Sequence, residues 1–146
     1  MIDRFVIRPA HWPQDRLLIR RIREEVFVIE QSVPADLEWD GRDHEAAHVL
    51  AETRNRDVIG TGRLQPSGKI ERMAVLSPWR GKGVGSAILR RLIRTAADRG
   101  IDEVYLHAQC RAVSFYARFG FEAEGEEFME ADIPHRLMRR SVRIDR

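Results

Sequence analysis

The most constraining stretch of the chain is RGKGVGSAILRRLIRTAADRG, residues 80–100. Gly81, Gly83 and Gly85 fall within five residues, beside Arg80 and Lys82. Ile88, Leu89, Leu92, Ile93, Ala96 and Ala97 then recur at helical spacing, and Gly100 supplies a stop. KIERMAVL before the glycines and DEVYLHAQ after the helix both read as strands. Strand, loop, helix and strand make a βαβ unit from Lys69 to Ala108. Such a unit calls for one parallel strand pair and a right-handed crossover, with the helix covering a sheet.

The same loop restricts chemistry. Main-chain N–H groups at Lys82 through Ser86 would point out of a helix start, where the dipole and unpaired donors suit a pyrophosphate. Glycine lets a ligand approach the backbone closely, and Arg80 and Lys82 add charge. The alternative is a turn that only lets strand and helix pack. A P-loop is excluded, because Lys82 is followed by Gly83 and Leu76 stands where the first glycine belongs. A dinucleotide fingerprint is excluded too, because the spacing is G-x-G-x-G and no βαβ start precedes it.

The rest of the chain completes a mixed architecture. FVIR (Phe5–Arg8) reads as a strand ended by Pro9. Residues 13–30 read as a helix with Leu18, Ile22, Val26 and Ile29 on one face. QSVPADLEWDGRDHEA reads as a long loop with a short helical turn, and loops of that length in small domains are often functional. AHVLAET and DVIGTGRLQ form a hairpin across RNRD. AVSFYARF is a short helix ended by Gly120, and GFE and HRLMRRSV begin and end a final strand pair. The expected fold is α/β: one mixed, mostly antiparallel sheet with helices on its faces, in a single domain spanning residues 1–146.

Charge is patterned rather than large, with a formal net of +2. Residues 80–99 are basic, residues 36–52 and 122–132 acidic, and the C-terminus carries Arg136, Arg139, Arg140, Arg143 and Arg146. A nucleic-acid binder would more often show one dominant basic face. No apolar run approaches the roughly 20 residues that span a bilayer. The N-terminus lacks a signal-type apolar core, so a cytoplasmic setting is expected. Cys110 is the only cysteine, which excludes an internal disulfide and a cysteine-based metal site.

ERMAVLSPWRGKGVGSAILRRLI resembles the acyl-CoA segment of the GNAT superfamily of N-acetyltransferases. Their R/Q-x-x-G-x-G/A pattern is matched by Arg80, Gly83 and Gly85. A second signature, N-x-x-A-x-x-x-Y-x-x-x-G-F, is matched by Ala112, Tyr116, Gly120 and Phe121, with Gln109 where asparagine is common. RIREEVFVIEQSVPADLEWDGRDHEAAH and PHRLM resemble the ElaA-like branch.

The resemblance implies an acetyl-CoA cosubstrate and an amine acceptor. It implies that strand Ile70–Val75 diverges from strand Val104–Ala108, and that pantetheine pairs with main-chain groups of Met73 and Val75 in the opening. A main-chain N–H near Met73 or Ala74 would polarise the acetyl carbonyl. The loop Arg80, Gly81, Lys82, Gly83, Val84, Gly85 and Ser86, with Gln109 and Tyr116, would hold the cosubstrate. Tyr116 is the expected acid toward the leaving thiolate, against the alternative of a packed helix aromatic. Glu71 is the candidate base, with a paired strand carboxylate or a water relay as alternatives. Strand alternation would put Glu71, Met73 and Val75 on one face. Phe27, Glu30 and Gln31, at the end of the first helix, and His135 are expected to line the acceptor site.

Other candidates carry less. Cys110 reads as a buried structural thiol rather than a nucleophile. Asp36, Glu38, Asp40 and Gly41 begin like an EF-hand, but Ala47 stands where a bidentate Glu is needed. His44 and His48 lack the H-E-x-x-H context, so no metal is expected. The acidic loop reads either as a solvated face or as a mouth favouring a cationic amine. Two rivals to the transferase stand: a non-catalytic acyl-CoA-binding or sensing module, and a nucleic-acid-binding domain. Neither membrane nor nucleic-acid partners are expected, and a homodimer is among the open assemblies.

Overall fold

The computed structural model describes residues 4–142. Arg143 and Arg146 of the basic C-terminus, and the first three residues of the N-terminus, lie outside the described residues. The elements are β1 (Phe5–Ala10), α1 (Trp12–Arg23), α2 (Ala35–Glu38), β2 (Ala47–Thr53), β3 (Val58–Leu64), β4 (Ile70–Val75), α3 (Val84–Asp98), β5 (Glu103–Gln109), α4 (Val113–Ala117), β6 (Glu122–Glu130) and β7 (Ile133–Ser141). β1-β2-β3-β4 form one antiparallel part of the sheet and β5-β7-β6 the other. The parallel pair expected between β4 and β5 is reduced to a single bridge, Lys69 to Tyr105. Past that bridge the two strands part. The result is a mixed α/β fold whose mostly antiparallel sheet is flanked by helices and split along its parallel seam.

The helices take opposite faces. Ile88, Leu89, Leu92, Ile93 and Ala96 of α3 are buried with Val49, Ala51, Leu64, Val104 and Leu106 in the main core. α3 lies close against β3 because Gly62 has no side chain: a Cβ there would meet Ile88 Cγ2 at 2.7 Å and Leu92 Cδ1 at 2.9 Å. On the other face Ile19 packs with Ala10 and Leu50, and Ile22 and Val26 pack with Ala74.

Two local readings change. β1 runs through Pro9 to Ala10 instead of stopping at Arg8. It is an edge strand, where a missing N–H is tolerated. The first helix is α-helical only to Arg23 and continues as a π-helix over Glu24–Glu30. Its last turn closes with Gln31 N–H to the Val26 carbonyl, five residues back (3.0 Å). The wider turn shifts the apolar face. Ile19, Ile22 and Val26 are buried, while Leu18 and Ile29 of the expected stripe are exposed.

The acidic loop is fastened through part of its carboxylates: Glu38 and Asp43 are buried, while Asp36 and Glu45 stay exposed. Buried Arg23 donates from Nε to Glu38 Oε2 and from Nη1 to Asp43 Oδ1, both at 2.5 Å. Buried Arg63 donates to Asp43 Oδ1 (2.7 Å), Asp40 Oδ2 (2.8 Å) and Glu71 Oε2 (3.0 Å from Nε). Arg72 reaches Glu38 Oε1 and Asp40 Oδ2, each at 3.2 Å. Three guanidiniums thus fasten the loop after α1 to α1 itself, β3 and β4. A buried charge needs partners of this kind, and removing one strands the rest.

This network sets an acid sensitivity. Arg63 and Arg72, with a backbone hydrogen bond from Arg42, hold the Asp40 carboxyl well below the usual range against the cost of its burial. Asp15 is lowered by Arg8, and Glu71 is lowered by Arg63 and Gln65 despite burial. Groups lowered on folding contribute stability that is complete above their unfolded values and is lost as pH falls. Glu38 runs the other way, because burial raises it. Four lowered carboxyls, Glu30 beside Arg80 being the fourth, against one raised lead us to expect stability to urea to decline below about pH 5. Asp40→Asn should flatten the decline. A stability that rises on acidification would show the burial of Glu38 dominating instead.

Candidate active site

β4 carries an irregularity that decides what its residues face. Thr61 opposes Ala74 and Arg63 opposes Glu71, so Gly62 alone stands against Arg72 and Met73. Arg72 takes a left-handed φ of 54°, the mark of a β-bulge. Alternation therefore breaks at Arg72. Ile70, Met73 and Val75 contact the α3-side core, whereas Ala74 packs on Ile22 and Val26 of the α1 side and Glu71 pairs with Arg63. The expectation that Glu71, Met73 and Val75 share a face is overturned.

Past the bulge the main chain alternates regularly. Leu76 N–H donates to the Ile59 carbonyl (2.9 Å), and the Ala74 carbonyl lies toward Gly60. By the antiparallel pattern, the main-chain groups of Met73 and Val75 then turn toward the seam. One of them is already used: the Val75 carbonyl accepts from Arg80 Nε (2.9 Å).

The seam leads to the start of α3. Gly81 and Gly83 are left-handed, with φ of 76° and 86°, and a Cβ on either would meet nothing within 4 Å. Gly83 is the N-cap, and no side chain caps this end. Ala87 N–H is the donor that returns to the Gly83 carbonyl (3.1 Å), so Val84, Gly85 and Ser86 N–H precede the helical ladder. Gly85 lies in ordinary contact range of Phe115 (3.8 Å) and Val75 (3.9 Å), which joins the loop to α4 and to the end of β4. Lys82 stacks its ammonium over Trp79 at 5.8 Å. Arg80 forms a two-point ion pair with Glu30, Nη2 to Oε1 at 2.6 Å and Nη1 to Oε2. Both partners are substantially exposed, so an incoming anion could displace Glu30 at small cost.

At the other end of the seam lies a cavity of about 590 Å³. It brings together Phe27 and Gln31 from the π-helical segment, Glu71 and Met73 from β4, Gln109 and Tyr116 from the far side, and His135 from β7. Gln109 donates from Nε2 to Gln31 Oε1 (3.2 Å) and accepts from Arg111 Nε (3.0 Å). Glu30, expected beside Phe27 and Gln31, is not in the lining and serves Arg80 instead. The π-helix explains the division, because a widened turn separates neighbours that a regular α-helix would keep on one side.

Tyr116 packs edge-on against Phe115 and Phe121, with ring centroids 5.1 and 6.0 Å away. Burial pushes its phenol up to about 12. Among the described residues its hydroxyl has no hydrogen-bond partner, and Tyr116 lines the cavity. Glu71 is heavily engaged. Its Oε2 accepts from Arg63 and from Gln65 Nε2 (2.8 Å), and its Oε1 lies 3.3 Å from Lys69 Nζ. Cys110 is half-exposed rather than buried. Partial desolvation and the Glu127 carboxylate push its thiol up, opposite to what a nucleophile needs.

Sequence reasoning missed the wall opposite Glu71. His107 and Glu130 line the cavity there, 23 residues apart in the chain and joined through His107 Nδ1 and Glu130 Oε1 at 2.8 Å. No local pattern in either segment announces that pairing. Lys69, Arg72 and Arg111 also reach the lining.

A split antiparallel sheet with an uncapped helix start at one end of its seam and a polar cavity at the other defines an acyltransferase fold of the GNAT type. The chain matches the acetyltransferase (GNAT) domain family over residues 13–142 and belongs to that family. It is 42% identical over 121 residues to the uncharacterized N-acetyltransferase YjcF of Bacillus subtilis, covering 80% of this chain and 86% of that one. The crystal structure of an acyl-CoA N-acyltransferase from Pseudomonas aeruginosa superposes with a TM-score of 0.84 at 32% identity, over 94% of this chain and 99% of that one. That of Escherichia coli ElaA superposes with a TM-score of 0.82 at 30% identity, over 92% and 99%. Among the described residues no helix is long and apolar enough to cross a membrane.

Proposed function

We propose that the protein transfers an acetyl group from acetyl-CoA to a primary amine of a small molecule or peptide by direct attack. The observation that carries this reading is the continuity of the seam. It runs from uncapped N–H groups at Val84–Ser86, beside two open left-handed glycines, to a cavity bearing Tyr116. The residues present fit the cosubstrate. Gly81 and Gly83 leave the backbone open to a pyrophosphate, Arg80 and Lys82 supply positive charge, and the main-chain groups of Met73 and Val75 suit an amide-bearing arm. The Met73 N–H, turned toward the seam, stabilises the developing oxyanion, whereas the main-chain groups of Ala74 turn toward β3.

Tyr116 gives its proton to the leaving thiolate. Its raised value keeps the phenol protonated at any ordinary working pH. Glu71 stays ionised, paired with Arg63, Lys69 and Arg72, and holds that wall of the acceptor space. Phe27, Gln31 and His135 bound the acceptor space. We place the chain in the ElaA-like branch, supported by 32% identity to Escherichia coli ElaA over 84% of each chain.

The test separates catalysis from binding. Acetyl-CoA binding is measured by calorimetry, and thiol release is followed with spermidine, kanamycin and a lysine-containing peptide. Saturable binding with amine-dependent thiol release is the expected result. Binding without release across the panel would identify a sensing module.

A further inference from the structure

The cavity wall formed by β5, β6 and β7 carries a proton-handling pair. Val104, Leu106 and Ala108 of β5 are buried in the core, which turns Tyr105, His107 and Gln109 to the opposite side of the strand. His107 thereby lines the same cavity as Glu71 and Tyr116. Its Nδ1 lies 2.8 Å from Glu130 Oε1. A carboxylate at this distance accepts, so Nδ1 carries the hydrogen and the neutral ring keeps its lone pair on Nε2. Among the described residues Nε2 has no hydrogen-bond partner. The ring is steadied by the edge of Phe128, centroid to centroid 5.1 Å. Phe128 is in turn stacked on His135 at 5.9 Å. His135 donates from Nδ1 to the Ile133 carbonyl (2.6 Å) and places Nε2 3.7 Å from the second oxygen of Glu130.

Glu71 offers a poorer proton acceptor than this pair. Its lone pairs already face Arg63, Gln65 and Lys69, and each of those contacts stabilises the unprotonated form. An amine that reaches the cavity as an ammonium must lose a proton before it can attack. We propose that His107, oriented by Glu130, takes that proton through water in the cavity, with Glu130 as the positioning residue. This rests on the transferase reading above.

The balance closes without any further reagent. One ammonium proton passes to His107 and then to bulk water. The nitrogen forms a bond to the acetyl carbon, and the carbon–sulfur bond breaks. The thiolate takes the Tyr116 proton, and Tyr116 recovers one from the attacking nitrogen. One N–H remains in the amide.

The charged groups around His107 are Glu130 from β6, His135 from β7, Glu71 and Arg72 from β4, Lys69 just before it, and Glu38 from α2. Arg111 follows β5, and Asp40 faces the cavity from the loop after α2. The experiment measures pH profiles of kcat/KM with acetyl-CoA and whichever of spermidine, kanamycin or the lysine peptide the wild-type enzyme uses best. His107→Gln should lose kcat/KM on the order of tenfold at neutral pH, within the lower range for a proton relay that water partly replaces. Its acid limb should vanish, while calorimetric affinity for acetyl-CoA stays unchanged. Activity of His107→Ala should recover in part with added imidazole. Glu130→Gln should displace the acid limb without removing it. An unchanged profile in His107→Gln overturns the pair alone and leaves the transferase standing. No amine-dependent turnover by the wild-type enzyme overturns both. If His107→Gln fails to bind acetyl-CoA, the Glu130→Gln profile decides, and an unshifted limb there overturns the proposal.

Discussion

Tyr116→Phe is expected to lower kcat on the order of a hundredfold, the low end of what a positioned acid supplies, with little change in affinity for acetyl-CoA. The structure makes the substitution unusually clean. Phenylalanine keeps the edge-on contacts with Phe115 and Phe121. The hydroxyl has no hydrogen-bond partner among the described residues, so its loss strands no donor or acceptor of the protein. What disappears is one donor of a residue that lines the cavity. A loss in kcat without a loss in binding marks an interaction made in the transition state. Single-turnover kinetics should first show that chemistry limits the rate. A kcat equal to wild type under that condition would remove Tyr116 from the reaction. The raised phenol also fixes a sign: at about 12, above its ordinary value near 10, Tyr116 stays protonated through the working range. No alkaline limb below about pH 11 is then expected from its titration.

What was legible in the sequence was local. The α3 face needed only its spacing, and the six apolar positions read from it are all buried. The left-handed loop needed only glycines where backbone freedom is required. The bulge at Arg72 was not legible from β4, because it is imposed by the register with β3 and depends on Gly62 across the ladder. A glycine inside GTGRL was the available signal, since glycine in a strand often marks a bulge or a close approach. The π-helix had no comparable signal, and it alone separates Glu30 from Phe27 and Gln31. Nothing in the local pattern singles out Arg23 or Arg63, yet both are essentially inaccessible. Burial of these guanidiniums depends on carboxylates 8 to 23 residues away along the chain, such as Glu71 and Asp40 for Arg63 and Glu38 for Arg23. Periodicity cannot supply partners of that kind. The His107–Glu130 pair is of the same sort, assembled by β5, β7 and β6 lying side by side.

Gly83→Val is expected to weaken acetyl-CoA binding on the order of a hundredfold, about 2.7 kcal/mol. Two effects contribute. Gly83 holds φ at 86°, and a β-branched residue in that region is strained by roughly 1–3 kcal/mol. The isopropyl group would also stand where an anion must approach the N–H groups of Val84, Gly85 and Ser86. Nothing within 4 Å of the ideal Cβ would clash, so the loss cannot be assigned to disturbed packing of the protein. Gly85 provides the contrast. It lies inside α3, and a Cβ there would meet Phe115 and Val75 at ordinary contact distances. Gly85→Ala should therefore change affinity by less than about threefold, under 1 kcal/mol. Gly83→Asn separates the two contributions, because asparagine tolerates the left-handed region while still projecting a side chain. If strain dominates, Gly83→Asn binds nearly as well as wild type; if obstruction dominates, it binds nearly as poorly as Gly83→Val. Calorimetry measures the affinities, and thermal unfolding verifies that each variant is folded. A folded Gly83→Val with wild-type affinity would place the pyrophosphate elsewhere, because neither the backbone conformation nor the open approach at this glycine would then matter to the ligand.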